Sequence, residues 1–276
     1  MSIKLGHGGN FELIRPLNGD DTVVLARDTA SRKNVVLREV GGSLDIYKRI
    51  LRFPHENVET VQRIVRVRNG YIAVCGFCAG VTLRELMEND AAFVKVGIVQ
   101  IAEQLCEAAE HLHKLGLVHR DITPNNIIVD TRSLKRKADV TLIDFDISRI
   151  RYGGKEHDTS LFGTAGYAAP EQYGFSETDF RTDIYAVGRV IGDMLKVCEY
   201  PEEMCQMWEH VIEKCTMYSP NDRYGSYEIM KKDVVRIWQY RRALLAAALG
   251  RYGRALKIIF FGEKKRGDIE DDFLII

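Results

Sequence analysis

Two short apolar runs with acid and amide side chains at their ends constrain the fold of this chain more than any other feature. The first run, Ile127–Val129, directly follows residues 119–126, which read HRDITPNN. The second run, residues 140–143, leads into residues 144–146, which read DFD. Because each run is short, apolar and bounded by turn residues, the pattern predicts two neighbouring strands whose ends lie together.

Three side chains at these predicted strand ends have the chemistry of phosphoryl transfer. The carboxylate of Asp121 can accept the proton of a hydroxyl group. The side-chain oxygens of Asn126 and Asp144 are hard ligands of the kind that Mg²⁺ binds. The sequence therefore predicts that a metal and a phosphate-bearing nucleotide bind where the two strands end.

A third segment, residues 163–171, reads GTAGYAAPE. With HRDITPNN and DFD in the same order and spacing, it resembles the signature of the eukaryotic-type protein kinases, and its wording is similar to that of bacterial Ser/Thr kinases. The resemblance implies an α+β, two-lobed kinase fold with a small β-rich N-lobe and a larger helical C-lobe. We expect the N-lobe at residues 11–77, the C-lobe at 78–240 and a helical extension at 241–276.

The periodicity of the chain agrees with this division. Strand-like runs and turn residues dominate to about residue 68, including a hairpin expected across Asn69 and Gly70. From Thr82 onward the apolar residues recur at helical spacing, and Thr82 and Glu85 form a capping-box pattern. One predicted helix begins at Thr82. The others cover residues 44–51, 94–115, 182–195, 205–217 and 226–238.

The resemblance implies a set of site residues and two ligands, ATP and Mg²⁺. The expected catalytic residues are Asp121, Thr123, Asn126 and Asp144, of which Asn126 and Asp144 would hold the metal. Thr123 stands where most Ser/Thr kinases have a lysine, so it brings no positive charge. The residues expected around the nucleotide are Val23, Val36, Arg38, Gly76 and Cys78, with Gly76 and Cys78 in the hinge between the lobes.

Further positions would support the site or the activation segment. The expected structural residues are His119, Arg120, Glu171, Asp183 and Arg223. Gly163 and Thr164 match the segment that binds the residue after the phosphoacceptor, which implies a protein substrate with a Ser or Thr hydroxyl. Thr159 and Ser160 are either activation phosphosites, whose phosphate Arg120 would neutralise, or plain loop hydroxyls.

Four departures from the family pattern lie around the nucleotide. The expected glycine-rich loop has one glycine with Asp20 and Asp21, whose charges would repel phosphate. Arg38 stands in place of the usual lysine, and a helix acid to pair with it is not evident, Asp45 being the closest. Asp146 replaces the glycine of D-F-G, which would add a carboxylate near the metal.

These departures leave two functions open. The first is an ATP-dependent Ser/Thr protein kinase with atypical nucleotide-site residues. The alternative is a pseudokinase, a non-catalytic module for nucleotide binding or scaffolding. The intact group of Asp121, Asn126 and Asp144 favours the enzyme, whereas Arg38 without a clear acid partner favours the scaffold. A kinase-like enzyme on small molecules is disfavoured by the peptide-binding segment 163–171.

Composition narrows the partners and the location. The 276 residues include 39 Lys and Arg and 39 Asp and Glu, and this zero net charge argues against a nucleic-acid partner. No secretory signal or transmembrane segment is expected, so the six cysteines indicate reduced thiols and a cytoplasmic protein. Cys75 and Cys78 allow a zinc or redox interpretation, but no second pair stands at ligand spacing. The basic helix at 243–261 either contacts a partner or membrane surface, or packs on the C-lobe.

Overall fold

The computed structural model describes residues 2–4, 9–19, 21–132, 140–150, 163–174 and 178–261, with the main chain alone at 2–4, 245 and 247–261. These residues form a β-rich lobe followed by a larger helical lobe. The two-lobed α+β architecture predicted from the sequence is confirmed. None of the helices in the described ranges combines the length and the apolar composition that crossing a bilayer requires.

The N-terminal lobe is an antiparallel sheet with one helix. Its elements are β1 (Ser2–Lys4), β2 (Asn10–Pro16), β3 (Val23–Asp28), β4 (Asn34–Glu39), α1 (Leu44–Arg52), β5 (Val61–Val67) and β6 (Gly70–Gly76). The strands lie in the order β1-β2-β3-β4-β6-β5, so α1 interrupts the succession between β4 and β5. Residues of α1, β3, β4 and β6 share the large hydrophobic core with the helical lobe.

Strand register places the predicted nucleotide residues in adjacent rows. Val23 on β3 lies opposite Arg38 on β4, and Val36 on β4 lies opposite Cys75 on β6. The predicted hairpin at Asn69 and Gly70 is confirmed. Gly70 has a φ of +150°, which glycine adopts readily because it has no Cβ.

The helical lobe carries five helices and five short strands in its described part. They are β7 (Val81–Thr82), α2 (Leu83–Asn89), α3 (Ala91–Lys114), β8 (Leu117–Val118), β9 (Ile127–Val129), β10 (Val140–Leu142), β11 (Arg149–Ile150), α4 (Phe180–Lys196), α5 (Glu202–Cys215) and α6 (Tyr227–Phe261). The two predicted strands around the DFD segment, β9 and β10, pair antiparallel, and β7 extends their sheet. Twelve buried residues distributed along α3 make this helix a central support of the lobe.

Helix starts follow local capping chemistry. The capping box at the start of α2 is confirmed, because the Thr82 hydroxyl accepts from the Glu85 N–H at 3.1 Å and the Glu85 carboxylate accepts from the Thr82 N–H at 2.8 Å. Helix α3 begins three residues earlier than its apolar periodicity predicted. Asp90 caps it by accepting the Phe93 N–H at 3.0 Å, so an exposed first turn precedes the buried stripe.

Helix α6 is longer than predicted. The pattern predicted an end near Trp238, but the helix continues without a break to Phe261. Residues 239–249 contain neither proline nor glycine, so nothing in the local sequence stops propagation there. The basic side chains Arg251, Arg254 and Lys257 lie outside the described side chains, and a partner contact through them stays a prediction.

A short segment before β5 joins the two lobes at the edge of the site. The Glu59 N–H donates to the carbonyl of Leu142 on β10 at 2.9 Å, and the Leu142 N–H donates to the carbonyl of Asn57 at 2.8 Å. The buried Asn57 amide also donates to the Val140 carbonyl at 2.8 Å. Residues 57–59 therefore lie alongside β10, the strand that leads to Asp144.

Candidate active site

Asp121 lies at the centre of the candidate site, in the loop before β9. Its Oδ1 accepts from the Thr164 hydroxyl at 2.7 Å and from the Thr164 N–H at 3.1 Å, and its Oδ2 accepts from the Asn126 amide at 2.8 Å. The Asn126 amide also donates to the Asp121 carbonyl at 2.9 Å. Both carboxylate oxygens are thus held in a fixed direction, as a proton acceptor requires.

Asp183 on α4 anchors the loop that carries Asp121. The fully buried Asp183 carboxylate accepts the backbone N–H groups of His119 and Arg120, each at 2.8 Å, and lies 3.1 Å from His113 Nε2. Arg120 itself has a φ of +72°, a left-handed conformation that costs energy for a residue with a Cβ. The Asp183 hydrogen bonds offset that cost and hold the turn in place.

Asp144 lies two residues after the end of β10. It has a φ of +71°, and its Oδ1 accepts the N–H of Asp146 at 3.3 Å. The strand before it is tied to the loop, because the Ile143 N–H donates to the Asn126 carbonyl at 2.9 Å. The carbonyl of Ile143 in turn lies 3.1 Å from His119 Nε2. These bonds bring the ends of β9 and β10 together, as the sequence predicted.

The donor set at this end fits a magnesium ion. The Asn126 amide nitrogen makes both hydrogen bonds to Asp121, which turns its side-chain oxygen away from that carboxylate. The side chain of Asp144 is one-third exposed. One amide oxygen and one accessible carboxylate are hard oxygen ligands, and water or phosphate oxygens complete such sites. Asn126 and Asp144 could therefore hold Mg²⁺.

Arg38 has an acid partner that lies outside α1. The expectation that it has no clear acid partner is wrong, although no acid of the helix supplies that partner. The guanidinium is buried, with Nη2 3.6 Å from Glu59 Oε1 and Nη1 3.3 Å from Asp144 Oδ2. Burial alone would lower the pKa of Arg38, but the two neighbouring carboxylates outweigh it and raise that pKa. Asp45, the nearest acid on α1, is instead 65% exposed and pairs with Lys48.

The Arg38 guanidinium has donor atoms with no hydrogen-bond acceptor in the described part of the chain. Its Nε and Nη1 are buried and make no hydrogen bond to any residue within the described ranges. A phosphate oxygen is the kind of acceptor that a guanidinium fork binds. The two donor atoms of Arg38 therefore match a nucleotide phosphate in their chemistry.

The side chains predicted to surround adenine line one wall of the core. Val23 and Val36 are 8% and 7% exposed and belong to the same hydrophobic cluster as Cys75. At the end of β6 the Gly76 carbonyl accepts a weak bond from the Cys78 thiol at 3.8 Å. Burial raises the pKa of Cys78 to about 12, so it remains a thiol at neutral pH. No cluster of three metal-binding side chains occurs among the described residues.

The hairpin between β2 and β3, where a glycine-rich loop was expected, is closed by a side chain. The Asn18 amide donates to the Thr22 hydroxyl at 2.7 Å, and its oxygen accepts the Val23 N–H at 3.0 Å. The Leu17 N–H donates to the Val23 carbonyl at 2.8 Å. Two backbone N–H groups of this turn are therefore engaged within the hairpin. Asp20 lies outside the described residues.

The segment after the activation loop packs against the catalytic loop. Gly163 has a φ of +121°, and a Cβ there would press on the Gln172 amide and the Ala168 side chain. The Gln172 amide donates to the Arg120 carbonyl at 2.8 Å, a contact that was not predicted from the sequence. Thr164 thus contacts Asp121, and the predicted role of Gly163 and Thr164 in binding the residue after the phosphoacceptor stays a prediction. Thr159 and Ser160 lie outside the described residues.

A buried ion pair supports this segment. Arg223 donates to both oxygens of Glu171, at 2.6 and 2.9 Å, and the Thr182 hydroxyl donates to the same carboxylate at 2.9 Å. The bidentate geometry and the extra hydrogen bond offset part of the cost of burying both charges. The predicted pairing of Glu171 with Arg223 is confirmed.

Thr123 begins the short turn that ends at Asn126. Its carbonyl accepts the Asn126 N–H at 2.9 Å, and the residue is only 2% exposed. A contact between its hydroxyl and the γ-phosphate stays a prediction.

Sequence reasoning missed two side chains around the DFD segment, Glu59 and Tyr47. Tyr47 on α1 is fully buried and donates its hydroxyl to Asp146 Oδ1 at 2.7 Å. Burial and the adjacent Asp146 carboxylate raise the pKa of Tyr47, which keeps its proton. The only sequence signal for Glu59 was an isolated acid between apolar Val58 and Val61.

The two lobes, the anchored loop with Asp121 and the ends of β9 and β10 define a protein kinase domain. The sequence matches the protein kinase domain family over residues 4–235, and the chain belongs to that family.

Curated relatives in bacteria are similar to it at low identity. Serine/threonine-protein kinase PrkC of Bacillus subtilis is 24% identical over 264 residues, covering 82% of this chain and 40% of that protein. A probable serine/threonine-protein kinase of Clostridium perfringens is 32% identical over 123 residues, covering 44% of this chain and 17% of that protein. PknB of Mycobacterium tuberculosis is 26% identical over 191 residues, covering 59% and 30%. The chain thus spans less than half the length of each of these relatives.

Proposed function

We propose that this chain is an ATP-dependent serine/threonine protein kinase that transfers the γ-phosphate to a protein hydroxyl. The observation that carries the proposal is the fixed Asp121 carboxylate, held on one oxygen by Thr164 and on the other by Asn126. A proton acceptor beside two oxygen ligands for a metal is the minimum that phosphoryl transfer needs. The protein substrate and a cytoplasmic location are part of the proposal, the latter because the six cysteines are free thiols.

Each residue has a distinct role in this proposal. Asp121 orients the substrate hydroxyl and accepts its proton. Asn126 and Asp144 hold the metal, and Arg38 binds phosphate oxygens. When bound, Mg-ATP supplies the phosphoryl group and the positive charge that neutralises its oxygens. Val23 and Val36, with the hinge residues Gly76 and Cys78, enclose the adenine.

The acceptor is proposed to be Ser or Thr because of the segment next to Asp121. Gly163 and Thr164 match the segment that binds the residue after the acceptor in the kinase family, and their packing against the catalytic loop supports that role. Thr123 brings no cation to the γ-phosphate, so turnover is expected to be slow compared with a site that has one.

The test is transfer of labelled γ-phosphate to a generic basic protein by the full chain. Asp121→Ala removes the proton acceptor and is expected to lower the rate by about 100-fold or more. Asp222→Asn, at an exposed acid of the same lobe, serves as the control and should keep the wild-type rate. If the wild-type chain transfers phosphate no faster than Asp121→Ala does, the proposal that it is a kinase is refuted.

A second function, nucleotide binding without transfer, has its own support. The N–H groups of Leu17 and Val23 are engaged within the β2–β3 hairpin, so that turn offers less to a phosphate than a glycine-rich loop does. A thermal shift with Mg-ATP separates the two functions. Saturation at 100 times Kd would add about 2.7 kcal/mol of stability. Such a shift without transfer above the Asp121→Ala background would favour the scaffold.

A further inference from the structure

The acid that faces Arg38 comes from an unexpected part of the chain. In the family pattern a helix of the small lobe supplies it, but here Glu59 lies in the connection between α1 and β5, 3.6 Å from the guanidinium. Glu59 is only 2% exposed, so its carboxylate has little access to water. A buried carboxylate needs a cation and hydrogen-bond donors, and Arg38 is the cation that it contacts.

Glu59 is also tied to the strand that positions Asp144. Its N–H donates to the Leu142 carbonyl at 2.9 Å. Glu59 therefore contacts the proposed phosphate-binding cation through its side chain, and the strand that leads to the proposed metal ligand Asp144 through its backbone.

Helix α1 contacts the site by a different route. The Tyr47 hydroxyl donates to Asp146 Oδ1 at 2.7 Å, and the Tyr47 ring meets the edge of Phe145 with ring centroids 6.4 Å apart. Just before α1, a Cβ at Gly42 would overlap the Asp146 carbonyl oxygen, so the backbones approach closely there. The start of α1 is thus fitted against the DFD segment.

We propose that the task of one helix acid is divided in this protein between two positioning residues, Glu59 and Tyr47. Glu59 orients the Arg38 guanidinium toward the nucleotide phosphates, and Tyr47 fixes the DFD segment through Asp146. The inference rests on the nucleotide site of the proposed function, but it does not require phosphate transfer. Its consequence is that the acid partner of Arg38 lies outside α1, while α1 acts on the metal-binding segment.

The decisive measurement compares ligands that differ in phosphate. Binding of Mg-ATP, Mg-ADP and adenosine to the full chain is measured by calorimetry for wild type, Glu59→Gln and Asp45→Asn. Glu59→Gln should weaken ATP and ADP by about 10-fold or more, because the cation loses its charged partner. Adenosine binding should stay within about two-fold, since the Arg38 side chain is assigned to phosphate. Asp45→Asn, which removes the acid nearest on α1, should match wild type for all three ligands.

Tyr47→Phe tests the second half of the division. Removal of one hydroxyl takes away the hydrogen bond that α1 makes to Asp146, so the Mg²⁺ concentration for half-maximal ATP binding should rise several-fold while adenosine binding is unchanged. The proposal is overturned if Glu59→Gln binds ATP like wild type, or if it loses ATP and adenosine equally, as a merely structural role would predict. An unchanged Mg²⁺ dependence in Tyr47→Phe overturns the role of Tyr47.

If Glu59→Gln does not fold, Glu59→Asp is measured in its place. This variant keeps the negative charge on a side chain shorter by one methylene group, and the proposal requires that it weaken the binding of ATP more than the binding of adenosine. Equal affinity for ATP in Glu59→Asp and wild type would then overturn the proposal. Transfer is assayed separately: a wild type that binds ATP but does not transfer phosphate refutes the kinase proposal and leaves this inference standing.

Discussion

Replacement of Asp183 by asparagine should destabilise the whole domain through the loop that bears Asp121. Asp183 is fully buried and accepts the N–H groups of His119 and Arg120 with its two different oxygens, each at 2.8 Å. Asparagine has the same shape but one acceptor oxygen. At least one of the two buried N–H groups must then face an amide NH₂ group, which cannot accept a hydrogen bond.

The magnitude follows from that loss. A hydrogen bond to a charged group contributes about 1.5–3 kcal/mol, and leaving a buried donor unsatisfied costs about 1–3 kcal/mol. Together we expect Asp183→Asn to lower the free energy of unfolding by about 3–5 kcal/mol. For a domain of this size about 1 kcal/mol shifts Tm by about 2 °C, so Tm should fall by about 6–10 °C.

The assay is thermal unfolding followed by circular dichroism, with urea unfolding as a check on the free energy. Asp45→Asn makes the same chemical change at an exposed acid that pairs only with Lys48 in its own helix. Its Tm should stay within about 2 °C of wild type. If Asp183→Asn melts as close to wild type as this control does, Asp183 does not anchor the catalytic loop in the way described.

Two further predictions concern the packing of the helical lobe. On α4, Gly188→Ala should lower the free energy of unfolding by about 1–3 kcal/mol because its Cβ would overlap Cys215 on α5. Gly192→Ala should instead raise it by about 0.5–1 kcal/mol, because its Cβ would meet Ile212 at an ordinary 3.7 Å. Urea unfolding of both variants checks the opposite signs. Between α3 and α6, burial raises the pKa of Glu110, but hydrogen bonds led by the one from Lys231 outweigh it and lower that pKa. Glu110→Gln should therefore cost about 0.5–1 kcal/mol at pH 7. The difference from wild type should shrink as the pH falls below the ordinary glutamate value of 4.5 and vanish once the pH is below the lowered pKa of the folded state; a pH-independent difference would contradict this.

Features set by neighbouring residues were predictable from the sequence. The capping box at Thr82, the hairpin at Gly70 and the paired strands β9 and β10 depend on contacts within a few residues or on alternating apolar runs. The pairing of Glu171 with Arg223 was found differently, through the resemblance to the kinase family, since 52 positions separate them. Local chemistry gives the elements, and the family pattern gives the long-range pairs that it contains.

Contacts that depart from the family pattern could not be predicted in this way. Glu59 meets Arg38 because residues 57–59 hydrogen-bond to β10 in the other lobe, and no feature near Glu59 in the sequence indicates that strand. Tyr47 meets Asp146 across 99 positions. The extra length of α6 was missed for the opposite reason, since apolar periodicity marks only the part of a helix that is buried.

The departures around the nucleotide therefore do not all weaken the site to the same degree. Arg38, which stands in place of lysine, pairs with Glu59, and Asp146, which stands in place of glycine, accepts a hydrogen bond from Tyr47. No compensating contact of this kind occurs among the described residues for the turn closed by Asn18 or for the uncharged Thr123. Both of these positions act on the outer phosphates in the family pattern. We therefore expect these two departures to lower the rate of γ-phosphate transfer more than the affinity for adenine or for the metal.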